Sequence, residues 1–269
     1  MTVPAPNPDN WAVVTGASSG IGAALARELA ARGYNTILIA RRAQILQELA
    51  AELRAEHAVH TEVHALDLAD RQQRERLCEK LADRQIAILC NNAGIASFGP
   101  LAALPPAAER AQLELNATAV HDLTLAVLPQ MLASQGGGIL ISGSAAGNLP
   151  IPGNATYAAS KAFANTFAES LRGELRGSGV HVTVLAPGPV RTHTPTPKEA
   201  SLVDRMVPDR LWISAETTAR LSLNALSHNR MRIVPGVTGK IMSVAGQYLP
   251  RAWTAPIAGA FYRRLASSG

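Results

Sequence analysis

Cysteine is nearly absent from the chain. Cys78 and Cys90 are the two present, they form no CxxC pair, and two are too few for a disulfide framework. A small disulfide-stapled fold is excluded, and a reducing, cytoplasmic setting is expected. Lysine is also scarce: only Lys80, Lys161, Lys198 and Lys240 occur, so the net charge of +5 is carried by arginine. No dense basic stripe or nucleic-acid motif accompanies that charge, which argues against a nucleic-acid partner. No run of 18 apolar residues is present, so no transmembrane helix is expected. The first ten residues hold three prolines and no basic stretch ahead of an apolar one, unlike a signal peptide. Aromatic residues make up only 4%. Acidic residues stop altogether at Glu216. No metal is expected.

What is present suits one large α/β domain spanning residues 1–269. The chain is 47% hydrophobic and 17% charged, enough apolar material for a sizeable core and too little charge for a disordered polyelectrolyte. Short runs that are apolar almost throughout alternate with helical patterns. Strands are predicted at 11–15, 35–40, 59–65, 86–90, 138–142, 180–185 and 231–234. Helices are predicted at 20–32, 43–56, 71–84, 107–133, 155–176 and 214–227. Strands without polar alternation belong to a parallel sheet covered on both faces. The repeated β-α order predicts a doubly wound, Rossmann-like sheet of about seven strands in a three-layer α/β/α sandwich. Five prolines fall between 187 and 211 with no periodicity. A loop that long in a compact domain is usually a lid or binding loop, and its 193–212 portion is expected to shape a substrate pocket.

The first strand runs into Thr15-Gly16-Ala17-Ser18-Ser19-Gly20-Ile21-Gly22. Glycines at 16, 20 and 22 allow a tight turn, bring backbone N–H groups close to a pyrophosphate and place it at a helix N-terminus. The spacing is GxxxGxG rather than GxGxxG. After the second strand, where a carboxylate would bind the ribose 2′-hydroxyl of NAD(H), stand Ala40, Arg41 and Arg42. Guanidinium groups at a helix start, with Ser18 nearby, suit a 2′-phosphate. NADP(H) is therefore favoured over NAD(H).

Tyr157 and Lys161 lie four residues apart on one face of a predicted helix. An ammonium about 5 Å from a phenolate favours the anion by roughly 3 kcal/mol at an effective dielectric near 20. The pair thus predicts a phenol pulled below its ordinary pKa and able to exchange a proton near neutral pH. The fifth strand delivers Ser144, 13 residues before Tyr157, to hydrogen-bond a substrate oxygen; Ser142 is the competing reading. Asn116 sits inside the long fourth helix, where asparagine is a mediocre helix former, so a functional or capping role is expected.

Together with Asp67 after strand three, NNAG at 91–94 and PGPVRT at 187–192, these residues resemble the short-chain dehydrogenase/reductase family in order and spacing over nearly the whole chain. The resemblance implies an oxidoreductase moving a hydride between a nicotinamide and a carbonyl or secondary alcohol. It implies a tetrad of Asn116, Ser144, Tyr157 and Lys161, with the asparagine supporting a water that links the lysine to solvent. It further implies that Ser18, Ser19, Gly20, Ile21 and Gly22 hold the cofactor's phosphates and that Asp67 and Leu68 meet its adenine. Asn91, Ala93 and Gly94 would lie beside the adenine ribose, and Pro187, Gly188, Val190 and Thr192 around the nicotinamide. A homodimer or homotetramer is implied as well. Two other readings are a non-catalytic NADP sensor or scaffold and a membrane-associated lipid or acyl ketone reductase. The second draws on residues 240–269, which are basic, carry apolar stripes at helical spacing, and are read as an amphipathic segment with a weak membrane contact, a subunit contact or a substrate contact.

Overall fold

The computed structural model describes residues 3–188, 190–191, 212–236, 239–240, 243 and 256. Thr192, the loop 193–212 apart from Trp212, and the segment 240–269 apart from Lys240, Ser243 and Pro256 lie outside the described residues.

A seven-stranded sheet forms the middle layer, with strands β1 (Trp11–Thr15), β2 (Asn35–Ala40), β3 (Thr61–Ala65), β4 (Ile86–Asn91), β5 (Gly137–Ser142), β6 (Val180–Leu185) and β9 (Arg232–Ile233). Their order across the sheet is β3-β2-β1-β4-β5-β6-β9, and every pairing is parallel. Strand β4 crosses back beside β1, so the order reverses there and opens a crevice at the C-terminal strand ends, where ligands of such sheets bind. A short separate pair, β7 (Val190–Arg191) with β8 (Ile213–Ser214), escapes sequence reading because each strand has only two residues.

Helices α1 (Gly20–Ala31), α2 (Ala43–His57) and α7 (Ala215–Ser227) cover one face. Their core includes Ala12, Val14, Leu25, Leu38, Leu53 and Leu223. Helices α3 (Arg71–Ala82), α5 (Ala119–Ala133) and α6 (Ala155–Glu174) cover the other, over Val13, Ile37, Leu77, Leu89, Leu123 and Ile139. Neighbouring residues of β1 thus serve opposite cores, which explains why its sequence is apolar at every position. Among the described residues no helix is long and apolar enough to cross a membrane.

The predicted helix 107–133 is not continuous. Helix α4 (Pro106–Leu113) passes through a π-helical stretch, Glu114–Thr118, before α5. Asn116, fully buried at the centre of that stretch, takes the Ile95 N–H on Oδ1 (3.0 Å) and donates from Nδ2 to the Ile95 carbonyl (2.8 Å) and to Ser160 (3.1 Å). A widened turn that lets a side chain clasp a distant backbone is the usual setting of a π-bulge at a functional site.

Candidate active site

At the end of β1 the chain turns through Gly16, whose φ of +69° suits glycine. A Cβ on Gly22 would stand 2.2 Å from the Gly16 carbonyl oxygen, so helix α1 can lie this close to the turn only without one. Ser19 caps α1 but its side chain makes no capping bond, and the first turn carries no acid. That leaves the first-turn N–H groups and the positive helix end without a side-chain acceptor, an arrangement suited to an anion. Thr15 Oγ1 accepts from the N–H groups of Asn92 and Ala93, both at 2.9 Å. Asn92 Nδ2 donates back to the Thr15 carbonyl (3.1 Å), and Ser142 Oγ donates to Asn92 Oδ1 (3.2 Å). The ends of β1, β4 and β5 are thereby laced together across the reversal point.

Arg42 folds over the glycine turn, donating from Nε and Nη2 to Ser18 Oγ (3.1 and 2.9 Å) and from Nη2 to the Ser18 carbonyl (3.0 Å). Arg41 is largely exposed and reaches Asp67 only at 3.9 Å, leaving its guanidinium available at the rim. Asp67 braces its own turn by accepting from Ala69 N–H (3.0 Å). The carbonyl of Leu68 is held by the buried Arg74 (2.8 Å), which also pairs with Glu114 (2.9 Å) and Asp122 (2.8 Å).

At the other end Tyr157 and Lys161 rise from α6. Lys161 is buried and its Nζ donates to the Ser142 carbonyl (2.7 Å), 5.9 Å from the centre of the Tyr157 ring. The Ser144 hydroxyl lies close enough to the Tyr157 side chain to ease ionisation of the phenol. It also accepts from Ala146 N–H (3.1 Å), capping the single 3₁₀ turn Ala145–Asn148. Of the two serines weighed from the sequence, Ser144 lies beside the phenol, while Ser142 directs its hydroxyl to Asn92.

The expectation of a depressed phenol pKa is overturned. Burial pushes Tyr157 up from its ordinary value, and the nearby Ser144 hydroxyl offsets only part of the rise. Burial also drives the Lys161 ammonium down from 10.5 to about 8. Coulomb's law read along a helix face ignores this loss of water, which penalises both charged forms. The lysine carries a testable consequence. Between about pH 8 and 10.5 the folded protein binds fewer protons at Lys161 than the unfolded chain does, so folding gains stability as pH rises through that window. Relative to Lys161→Met, the wild-type protein should gain ~2.5 kcal/mol of unfolding free energy between pH 7 and 10. Urea titrations of the two proteins measure it; a pH-independent difference would refute the buried charge.

These groups share one cleft of about 520 Å³. Every residue expected at the cofactor lines it except Gly22, which packs beneath it, Asn91, and Thr192, which is outside the described residues. Asn91 ends the central strand β4: its side chain turns away from the cleft and donates to the Val120 carbonyl (3.2 Å) and Thr124 (3.1 Å), and the neighbouring Asn92 lines the cleft. Adjacent strand residues face opposite sides, so any contact from Asn91 falls to its main chain. Tyr157 and Lys161 line the cleft, while Ser144 and Asn116 do not; Asn116 Oδ1 and Lys161 Nζ both lie against Gly94. Sequence reading passed over Thr15 and Asn92, although both lie inside quoted motifs as polar residues at strand ends. It also passed over Asn165, one turn beyond Lys161.

The profile described as short chain dehydrogenase matches residues 10–202. The chain belongs to the short-chain dehydrogenase family. Among relatives of this dehydrogenase, sulfoacetaldehyde reductase 2 of Chromohalobacter salexigens is 35% identical over 83% of the chain and 93% of its own length. A very-long-chain 3-oxoacyl-CoA reductase of Pyricularia oryzae is 40% identical over 64% of the chain, but the match spans only 54% of that longer protein. Among solved structures, a short-chain dehydrogenase from Sphingobium yanoikuyae in complex with NADPH superposes with a TM-score of 0.78 at 30% identity, covering 88% of this chain and 92% of that one. The dehydrogenase is thus an oxidoreductase whose family uses a nicotinamide cofactor on small carbonyl and alcohol substrates.

Proposed function

We propose that the protein is an NADP(H)-dependent oxidoreductase that interconverts an uncharged, apolar carbonyl compound and its secondary alcohol, with Tyr157 as general acid and base. The observation that carries the reading is Tyr157 set beside a buried Lys161 whose ammonium is held on the Ser142 carbonyl, at the far end of a cleft that begins at a glycine-lined helix N-terminus. The cleft fits such a dinucleotide: the uncapped first turn of α1 and the glycine turn would hold its phosphates, and Arg41, Arg42 and Ser18 a 2′-phosphate. When bound, the nicotinamide supplies or accepts the hydride. Because burial raises the Tyr157 pKa, its phenol keeps its proton at neutral pH and can hand it to a carbonyl oxygen. Ser144 steadies the same oxygen as charge develops there. Lys161, fixed on Ser142, places a positive charge where the phenolate would form and lies on the route by which its proton is restored.

Substrate character follows from the two loops facing Tyr157. Residues 95–101 and 144–154 contain no charged side chain. Gly99 N–H donates to the Gly153 carbonyl (2.8 Å), clasping the loops together. Ile151 and Leu149 pack beside Tyr157 in a small apolar cluster. This favours an apolar ketone over an anion such as a sulfonated aldehyde. The exposed Leu113, Leu125, Leu132 and Phe163 support self-association as a homodimer or homotetramer. Two unpaired cysteines, one buried, support a reducing cytoplasmic setting.

The test is NADPH oxidation across a panel of alkyl and aryl ketones, aldehydes and 3-oxoacyl thioesters, run beside NADH. Aryl or long-chain ketones should turn over. The double variant Arg41→Ala/Arg42→Ala should lose about 10- to 100-fold of its NADPH-over-NADH preference in kcat/KM, leaving NADH little changed. Tight NADPH binding with no turnover on any compound would move the assignment to a sensor.

A further inference from the structure

Beyond the tetrad, α6 carries a third polar side chain on the face that bears Tyr157 and Lys161. Asn165 is one further turn along, at the i+8 position, and is buried at 3% exposure. Its amide grips both main-chain groups of the serine beside the phenol. Asn165 Oδ1 accepts from Ser144 N–H (3.3 Å) and Nδ2 donates to the Ser144 carbonyl (3.0 Å). The second Nδ2 proton goes to Asn148 Oδ1 (3.2 Å). Both donors are engaged, and with Nδ2 pointing at two carbonyl oxygens the amide can stand only one way round.

Strand β5 explains why such a grip is needed. Its pairing with β6 ends at Ser142 opposite Leu185, so Ser144 has run past the sheet and has no strand partner for its peptide groups. The Ser144 carbonyl accepts from Gly147 N–H (3.1 Å), and the Asn165 amide supplies the acceptor for the Ser144 N–H and a second donor for the carbonyl. Gly143 is shaped by the same contact, because a Cβ there would fall 1.9 Å from Asn165 Oδ1. Lys161 and Asn165, one turn apart, thus seize the carbonyls of Ser142 and Ser144, two residues apart, and hold the turn between them. Asn148 is itself tied to Ser243 (3.2 Å), so the clamp is braced from outside.

We infer that Asn165 is a positioning residue for the reaction: it fixes the Ser144 backbone and so keeps the serine hydroxyl beside Tyr157, where it can meet the substrate oxygen. The inference rests on the proposed roles of Ser144 and Tyr157. A residue that only held α6 in place would act independently of the serine hydroxyl, whereas a positioning residue has nothing left to position once that hydroxyl is gone.

A double-mutant cycle separates the two. Tyrosine absorbance of the cofactor-free protein is titrated with alkali in wild type, Asn165→Ala, Ser144→Ala and the double variant, with Tyr157→Phe subtracted to isolate the one phenol. The Ser144 hydroxyl lowers the Tyr157 pKa, so both single variants should move its midpoint upward and the double no further than Ser144→Ala alone. With NADPH and an aryl ketone, Asn165→Ala should lower kcat by about tenfold or more while leaving the KM for NADPH in place. In the Ser144→Ala background it should cost less than about twofold. Asn165→Ser, which keeps a short hydroxyl where the amide stood, serves the same cycle where the alanine variant does not fold. Losses that multiply in the double variant, or an Asn165→Ala midpoint equal to wild type, would overturn the inference. A wild type inert on all carbonyls would count against the function proposed above and leave the titration cycle readable.

Discussion

Tyr157→Phe is expected to lower kcat for ketone reduction by roughly 10³-fold, within the range that a positioned general acid contributes, while NADPH binds as before. The substitution removes one oxygen and keeps the ring, whose packing against Ala146, Ile151 and Ala158 should survive. What it takes away is the one group placed to give a proton to the substrate oxygen at neutral pH. Ser144 cannot substitute: its hydroxyl has an ordinary alcohol's acidity and already accepts from Ala146 N–H. Lys161 cannot either, because its ammonium is directed at the Ser142 carbonyl, behind the phenol. Steady-state kinetics with NADPH and the best ketone of the panel, beside a fluorescence titration of NADPH, make the comparison. A variant within about tenfold of wild-type kcat would remove Tyr157 from the chemistry. One that no longer binds NADPH would show the phenol to be a cofactor ligand first.

The layers of the fold could be read from the chain because strands covered on both faces leave no polar alternation. Ala12-Val13-Val14 and Ile37-Leu38-Ile39 are apolar at each position since alternate residues enter different cores. The site's two ends were legible for another reason: glycine spacing, the Arg41-Arg42 pair and the Tyr157–Lys161 spacing are local, and local spacing survives folding unchanged. What escaped depends on contacts distant in sequence. The π-turn at Asn116 arises from its clasp on Ile95, 21 residues away. Which asparagine of the 91–92 pair faces the cleft depends on where β4 ends, a boundary no propensity sets to a single residue. The grip of Asn165 on Ser144 also spans 21 residues and looks in the sequence like any polar residue on a helix. The phenol's pKa direction was missed because spacing records the neighbouring charge and not the water removed from around it.

These contacts make the cleft one mechanical unit, and Gly22 is where that unit has least slack. Gly22→Ala is expected to weaken NADPH binding by about 100-fold and to cost the fold about 1–3 kcal/mol, the range for overpacking a filled site. The added methyl would meet the Gly16 carbonyl oxygen at 2.2 Å and Asn92 Nδ2 at 2.7 Å. The first obstacle is backbone and cannot rotate aside, so the start of α1 must back away. The second is the amide that donates to the Thr15 carbonyl and ties β1 to β4. Retreat of α1 therefore moves the first-turn N–H groups off the phosphate position and loosens the strand ends that carry Ala93 and Ser142. Gly173→Ala in α6 is the matched control, since a Cβ there meets nothing within 4 Å. It should leave NADPH affinity alone and stabilise the protein by up to about 1 kcal/mol through helix propensity. Urea unfolding and NADPH fluorescence titrations of the two variants decide the matter. If Gly22→Ala matched Gly173→Ala in both measurements, the close approach of α1 to the glycine turn would have no part in holding the cofactor.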